Sequence, residues 1–555
     1  MQRIPPFALH GLLCALGAVL FASSHPNPVV HGGAGALGFV ALVPVFALCA
    51  SAPFRTVWLW GALYGALGYG LFCFWLSRFN PYTIYIVAVL YGLMISLVFV
   101  ALHAVWVLGR RFRFAGMAIV WCAWEFLKTQ GFAGFGYGVL GYTQWRFVPL
   151  IQCSALGGVW MVSAVCALCA ASLCASSVRF WSARRKASSE TASRCMQTKK
   201  PCKAVLCALL PFMCWLGLFV LALLYGTLVI VVQKRRPVQD FPVALVQGNS
   251  SPWKNGVDAY CKEFERLRSL TEQALLEQPQ TELVVWPETA FVPPVVYNYY
   301  SRRDSARYQL VCSLLSYIDS RDVCFVIGNQ HSVDSGGAFP DDYNATLVFD
   351  SARGNVIPPK PEVYRKIHLV PFTEHFPYKK QFPRIHEKLL LGDSHFWSAG
   401  NEYKVFSCRN MDFATPICFE DTFGSVCRRL AKNGARLFVN VSNDSWAGSD
   451  VCQIQHLAMA TFRCAENRLP EVRSTASGVT CSIDRTGRVV EFAPSFEATV
   501  LCHTVSVPAE RPCTLYTRFG DWFGCALLLA SLLFFVCRAV SCVCSRCRHS
   551  RLNGV

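Results

Sequence analysis

Charge is what this sequence has least of. Only 15% of its 555 residues are Asp, Glu, Lys or Arg, against 53% hydrophobic residues and a mean hydropathy of +0.34. A chain so poor in charge is not built to meet water along its whole length, which excludes a purely soluble or disordered protein. Acidic residues are scarcer than basic ones, 34 against 52, for a formal net charge of +18. Such an excess would suit nucleic acid. The basic residues, however, lie mostly in short loops beside apolar runs, so no nucleic-acid partner is expected. Paired CxxC motifs with zinc spacing are missing, and no repeat stands out. The 28 cysteines do not spell a disulfide scaffold, because many, such as Cys73, Cys122, Cys166, Cys169 and Cys174, sit inside apolar runs. A thiol there acts as a small hydrophobe. Cys542, Cys544 and Cys547, beside Arg546 and Arg548, suit juxtamembrane palmitoylation better than metal.

What is present is a succession of apolar stretches, and crossing a bilayer takes about 20 such residues in a helix. Residues 5–24, 33–51, 57–76, 84–108, 115–127, 150–178 and 204–232 give seven expected spans, and 521–540 an eighth. The first is not a cleaved signal peptide on this reading, because another span follows it rather than a soluble domain. Lys and Arg concentrate in the cytoplasmic loops of membrane proteins. Arg3, Arg55, the Arg110-Arg111-Arg113 cluster, the 179–203 loop and the 538–551 tail fall on one side, so both termini are expected in the cytoplasm. Seven spans then place residues 237–517 on the outer face. The Lys234-Arg235-Arg236 triplet is a weak objection, since long domains translocate largely regardless of charge.

That long segment reads as an α/β domain. Strands are expected at 243–246, 282–286, 323–327 and 436–441, and helices at 258–278 and 455–467. The Ser-, Lys- and Arg-rich stretch 182–200 is expected to be a flexible cytoplasmic loop. The domain organisation is therefore a membrane bundle over 1–233, an outer catalytic domain over 237–517, and a last helix with its tail over 521–555.

Within the α/β segment, three short runs each end on a reactive residue: Val285-Trp286-Pro287-Glu288-Thr289, Tyr364-Arg365-Lys366-Ile367-His368-Leu369-Val370-Pro371-Phe372, and Thr415-Pro416-Ile417-Cys418-Phe419-Glu420. Attack on an ester or amide carbonyl needs a nucleophile, a base for its proton and a positive donor for the oxyanion. Cys418, Glu288 and Lys366 suit those roles. A thiol attacks as thiolate, which a nearby ammonium favours while a carboxylate takes the proton. Singly, each has a plainer explanation: a packed core thiol, a helix N-terminal acid, a solvated edge lysine. Together they carry an acyl-transfer site.

The order Trp-Pro-Glu, Lys-x-His-Leu-Val-Pro-Phe and Pro-Ile-Cys-Phe-Glu resembles the nitrilase, or carbon-nitrogen hydrolase, superfamily. With seven spans before and one after, the chain resembles the apolipoprotein N-acyltransferases over nearly its whole length. Val246-Gln247-Gly248-Asn249, Val441-Ser442-Asn443-Asp444-Ser445-Trp446, and the stretch from Gln455-His456 through Arg463, Glu466, Arg468 and Arg473 to Thr480 also look like family signatures. The resemblance implies an α-β-β-α sandwich, with Glu288 as general base, Lys366 as oxyanion stabiliser and Cys418 as the acylated nucleophile. It implies that Glu374 orients Lys366 or binds substrate, and that Glu420 holds the loop behind the nucleophile. Trp253 and Trp446 are expected either to line an acyl pocket or to anchor at an interface. The chain departs from the pattern at Thr373, where a Gly is common, and over Arg473-Ser474-Thr475-Ala476-Ser477-Gly478, where Arg-x-Thr-Asn-Thr-Gly is common. His368 and His375 suit no zinc motif, and no metal or cofactor is implied.

Seven spans feeding such a domain suggest substrates that live in the membrane. Glu125 and Lys128, followed by the Gly- and aromatic-rich run 131–138, form either a lateral portal or a pair that steadies a helix end. Family similarity implies a ping-pong cycle in a bacterial inner membrane. Cys418 takes an acyl chain from a phospholipid such as phosphatidylethanolamine, and the amine of a diacylglyceryl-cysteine apolipoprotein then receives it. A monomer suffices. The alternatives are a membrane-tethered amidase and a transporter or scaffold with a degenerate domain, which the intact Glu288, Lys366 and Cys418 argue against.

Overall fold

The computed structural model describes residues 5–109, 112–131, 134–191, 201–250, 255–334, 340–376, 378, 380–390 and 396–552. The chain divides into two compact units, Met1–Val229 with Asp521–Val555, and Ile230–Gly520.

The first unit is helical. Among the described residues, Pro6–Ser24, Thr83–Leu108, Val159–Ser182, Leu206–Arg235 and Trp522–Ser541 are long and apolar enough to cross a membrane. Helices Leu42–Ser51, Phe54–Phe72 and Arg113–Leu127 occupy the other expected stretches. Two expectations need correction. The stretch 150–178 is not one helix: short turns Val148–Ile151 and Ser154–Gly157 precede Gly158, whose φ of +75° only glycine adopts cheaply, and the long helix starts at Val159. That helix continues to Thr191, so 182–191 is regular backbone rather than a loop, as its Ala, Arg, Lys and Glu content favours. Residues 192–200 and the side chains of Cys542, Cys544 and Cys547 lie outside the described set.

In lipid no hydrophobic force drives helices together, so close backbone packing has to. Phe54–Phe72 approaches Thr83–Leu108 so closely that a Cβ on Gly65 would stand 2.3 Å from the Tyr91 carbonyl oxygen. Glu125 and Lys128 are both buried and both bonded inside the bundle. Glu125 Oε1 accepts from Trp121 Nε1 and Leu140 N, each at 2.9 Å, while Lys128 Nζ donates to Tyr69 Oη at 2.7 Å and the Tyr137 carbonyl at 2.6 Å.

The second unit is built on two six-stranded sheets. One has the order β12-β1-β2-β3-β4-β5, from β1 Val238–Gln247, β2 Leu283–Phe291, β3 Cys324–Val333, β4 Asp341–Asp350, β5 Glu362–Arg365 and β12 Thr499–Pro508. The other has the order β11-β10-β9-β8-β7-β6, from β6 Phe406–Cys408, β7 Met411–Ala414, β8 Leu437–Ser442, β9 Glu471–Thr475, β10 Cys481–Ile483 and β11 Val489–Phe492. In each sheet three neighbouring strands run parallel, β1-β2-β3 and β7-β8-β9, with antiparallel strands outside them. Parallel strands are covered on both faces, and their near-continuous Val, Leu, Ile and Phe content follows from that. Alternation sorts the faces: Val243, Leu245, Leu283 and Val285 meet Phe413, Val439, Val441 and Val472 of the opposing sheet. Ala244, Val246, Val284 and Trp286 meet Phe264 and Leu267 of helix Val257–Glu277, and Leu314 and Ile318 of helix Ser305–Asp319. Helices Gly424–Lys432 and Asp450–Asn467 accompany the second sheet. The expected helix 455–467 thus starts five residues earlier, at Asp450, an acidic first-turn residue of the kind the helix dipole favours.

Candidate active site

Reactive residues gather where the parallel strands end, the usual place for a crevice in an α/β sheet. Glu288 lies on β2 just past its parallel pairing with β3 at Leu283–Trp286; Cys418 follows β7; Asn443 follows β8; Lys366 comes directly after β5.

Lys366 and Glu288 are almost fully buried, 1% and 6% exposed, so their charges survive only if paired. They are. Lys366 Nζ stands 3.3 Å from Glu288 Oε1 and 2.9 Å from Glu374 Oε1. Asn344 Nδ2 donates to the same two oxygens, at 2.7 Å to Glu288 and 3.3 Å to Glu374. The remaining oxygens are met by main chain: Asn443 N donates to Glu288 Oε2 at 2.9 Å, and Val370 N to Glu374 Oε2 at 2.8 Å. Burial alone would lower the Lys366 pKa, but Glu288 and Glu374 overcome it and hold the ammonium firmly charged.

Cys418 opens the turn Cys418–Thr422 with φ +50°, a left-handed conformation that costs a side-chain-bearing residue about 1–3 kcal/mol and collects at functional sites. Neighbours enforce it. Glu420, fully buried, accepts from Ile417 N at 2.8 Å, Ile367 N at 2.7 Å, His368 N at 3.1 Å and Tyr364 Oη at 3.0 Å. Asn440 Nδ2 donates to the Cys418 carbonyl at 3.2 Å. Glu420 therefore ties the Cys418 turn to the strand end that presents Lys366. Burial pushes the Cys418 thiol well up, and the Glu288 carboxylate adds to this, while Lys366 pulls it down.

Of the two tryptophans, Trp446 sits half-buried in the turn Ser445–Ala447 after Asn443, and Trp253 lies outside the described residues. His368 packs its ring on Phe423, centroids 4.7 Å apart. Among the described residues no cluster suits a metal ion. Asn344 escaped the sequence reading. Its signal is the alternation of polar residues along β4: Asn344 and Thr346 share one face, and Thr346 Oγ1 bonds Thr415 Oγ1 across the layers at 2.6 Å.

Gly328 marks how tightly Glu288 is held, because a Cβ there would stand 2.3 Å from the Pro287 carbonyl oxygen and 2.6 Å from Glu288 Cα. Gly328→Ala is expected to shift the carboxylate and to cost about 1–3 kcal/mol of stability, as overpacking does. Melting temperature in detergent measures it; an unchanged value would mean that the strand accommodates the methyl.

Behind Cys418 lies a second charged group. Glu471 bonds Arg473 Nη1 at 3.2 Å, but that guanidinium also serves Asp421, and burial pushes the Glu471 carboxyl up to about 8. Between its unfolded value and that one, the folded chain binds the extra proton, so stability falls as pH rises from about 5 to 8, by up to about 1.4 kcal/mol per unit. Melting temperature in detergent should show this slope, and Glu471→Gln should flatten it.

The model of the family "Carbon-nitrogen hydrolase" matches residues 242–513, the part of the chain that holds both buried parallel sheets and Glu288, Lys366 and Cys418. The model of the "Apolipoprotein N-acyltransferase N-terminal domain" matches residues 16–172. The chain is 41% identical to Apolipoprotein N-acyltransferase 1 of Treponema denticola over 96% of each chain, and 39% identical to Apolipoprotein N-acyltransferase 1 of Treponema pallidum over 97% of each. It is 28% identical to Apolipoprotein N-acyltransferase 2 of Treponema denticola, over 94% of this chain and 96% of that one. The chain belongs to the apolipoprotein N-acyltransferase family.

Proposed function

We propose that this protein moves a fatty acyl chain from a membrane phospholipid to the N-terminal amine of a diacylglyceryl-cysteine apolipoprotein, through a thioester on Cys418. The observation that carries the reading is the buried Lys366–Glu288–Glu374 group, set beside a strained Cys418, in a chain matched end to end by named N-acyltransferases. Glu288 takes the thiol proton as sulfur attacks the ester carbonyl. Lys366 receives the oxyanion, an interaction that strengthens as charge develops. Collapse breaks the acyl C–O bond, and Glu288 returns its proton to the leaving lysophospholipid oxygen. In the second half the acceptor amine attacks the thioester, Glu288 accepts the amine proton, and the Cys418 sulfur leaves and is reprotonated. No metal or cofactor enters, and the product of each half-reaction leaves before the next substrate acts, the ping-pong pattern.

The reading includes eight crossings, both termini in the cytoplasm, and the catalytic domain on the outer face of a bacterial inner membrane, supported by the Lys and Arg loop pattern. It takes 1–233 as the membrane bundle, 237–517 as the catalytic domain and 521–555 as the last helix and tail, in a monomer. The test is intact-mass analysis of purified protein incubated with phosphatidylethanolamine alone. A hydroxylamine-labile fatty-acyl adduct supports the donor half-reaction. No adduct, with ammonia released from small amides, would select the amidase instead.

A further inference from the structure

His456 is buried in the helix Asp450–Asn467, 2% exposed, and takes no part in the chemistry above. Both ring nitrogens face carboxylates. Nε2 lies 2.6 Å from Asp421 Oδ1, and Nδ1 lies 3.2 Å and 3.3 Å from the two oxygens of Asp444. A neutral imidazole has one N–H and one lone pair, so it would aim that lone pair at a carboxylate; two donors require the imidazolium. With both nitrogens donating, the ring cannot serve Cys418 as a base.

Its partners are the turns that matter. Asp421 belongs to the turn Cys418–Thr422. Asp444 adjoins Asn443, whose N–H fixes Glu288 Oε2. We propose that His456 is a positioning residue that fastens the turn carrying Cys418 to the turn supporting Glu288, and so sets the geometry of proton transfer between thiol and carboxylate. The inference rests on the roles given above to Cys418 and Glu288. The surrounding charge is consistent: Asp421 and Asp444 face the ring, Glu471 stands near it with its carboxyl raised to about 8, and Arg473 neutralises the far side of Asp421. Burial opposes the charged ring, but Asp444 above all overcomes it and raises its pKa.

Three variants separate the arms. His456→Gln places its amide N–H near the Nε2 position and keeps the Asp421 link; His456→Asn places its own near Nδ1 and keeps the Asp444 link; His456→Ala keeps neither. Two readouts apply to the full-length protein in detergent: single-turnover acylation by phosphatidylethanolamine, and the pH profile of Cys418 alkylation by iodoacetamide. For His456→Ala, acylation should slow about 10²-fold with half-saturation unchanged, as misplacement of reacting groups does. Alkylation should also move to higher pH. The charged groups acting on the thiol are Glu288, Lys366 and Asp444, and without the imidazolium Asp444 is left to push it up. His456→Gln and His456→Asn should fall between. Wild-type acylation and alkylation in His456→Ala overturn the proposal, as does a lower melting temperature with an unmoved alkylation profile. If His456→Ala fails to fold, the Gln and Asn variants decide it, wild-type behaviour of either overturning it. The alkylation arm needs no acyl donor, so a wild type that forms no thioester sinks the donor reading and still tests the positioning role.

Discussion

Cys418→Ala is expected to abolish acyl transfer: no hydroxylamine-labile adduct forms with phospholipid, and turnover falls on the order of 10⁴-fold or more, as when a covalent nucleophile is removed. Cys427 of the same core and Cys464 of the helix Asp450–Asn467 are more deeply buried, and burial and the nearby Glu471 push both thiols up, so they remain protonated packing groups. Only at Cys418 does the lysine held by Glu288 and Glu374 oppose that push. The alanine also lacks the side chain that the strained φ of +50° presents to substrate, while Glu420 and Asn440 keep the turn in place, so folding should change little. Cys418→Ser is instructive beside it. A hydroxyl ionises far less readily than a thiol, and Glu288 has to carry the whole difference, so activity should stay near the alanine level. Intact mass and single-turnover rates measure both. An adduct of wild-type mass on Cys418→Ala would remove Cys418 from the mechanism and send the search to another thiol.

Why Glu288, Lys366 and Cys418 stood out in the sequence, and the residues that bond them less so, has a physical basis. Glu288 and Cys418 each interrupt an apolar run, after Val284-Val285-Trp286 and after Pro416-Ile417, where a charged or reactive residue is conspicuous, whereas Lys366 follows the mixed strand Glu362–Arg365 and stood out by the run Lys-x-His-Leu-Val-Pro-Phe. The strands showed because burial on both faces leaves a nearly unbroken apolar pattern: residues 243–246 fall inside β1, and 323–327 starts one residue before β3. Asn344 is one polar residue in a strand with its own alternation, and nothing local says that it will meet Glu288, fifty-six residues away. His456 and Asp444 stood out only as signature letters. The clamp they form with Asp421 depends on how a helix lies across two turns, which no spacing encodes. In the membrane unit the sequence misjudged 150–178 because hydropathy is blind to the positive φ at Gly158, which breaks the helix without interrupting the apolar run.

Lys366→Met should be the second most damaging change, and for two separable reasons. Removing the oxyanion donor alone slows such reactions about 10²–10³-fold. Taking one partner from a buried charge group also costs about 3–5 kcal/mol if the others keep their charge. Here Glu288 and Glu374 would be left facing Asn344, with their Oε1 atoms on the same amide nitrogen. Two carboxylates sharing a site avoid that cost by holding one proton between them, which raises the pKa of the pair. A protonated Glu288 is no base. The residual activity of Lys366→Met should therefore climb with pH where the wild-type rate does not. Lys366→Arg should not restore the rate, since a planar guanidinium cannot occupy the place of a compact ammonium held at 2.9 Å and 3.3 Å. The measurement is acylation rate against pH for the three proteins, with melting temperature followed alongside. A Lys366→Met enzyme that is slow yet shows the wild-type pH profile would mean that the carboxylates keep their charges without the lysine, and that Lys366 acts on the oxyanion alone.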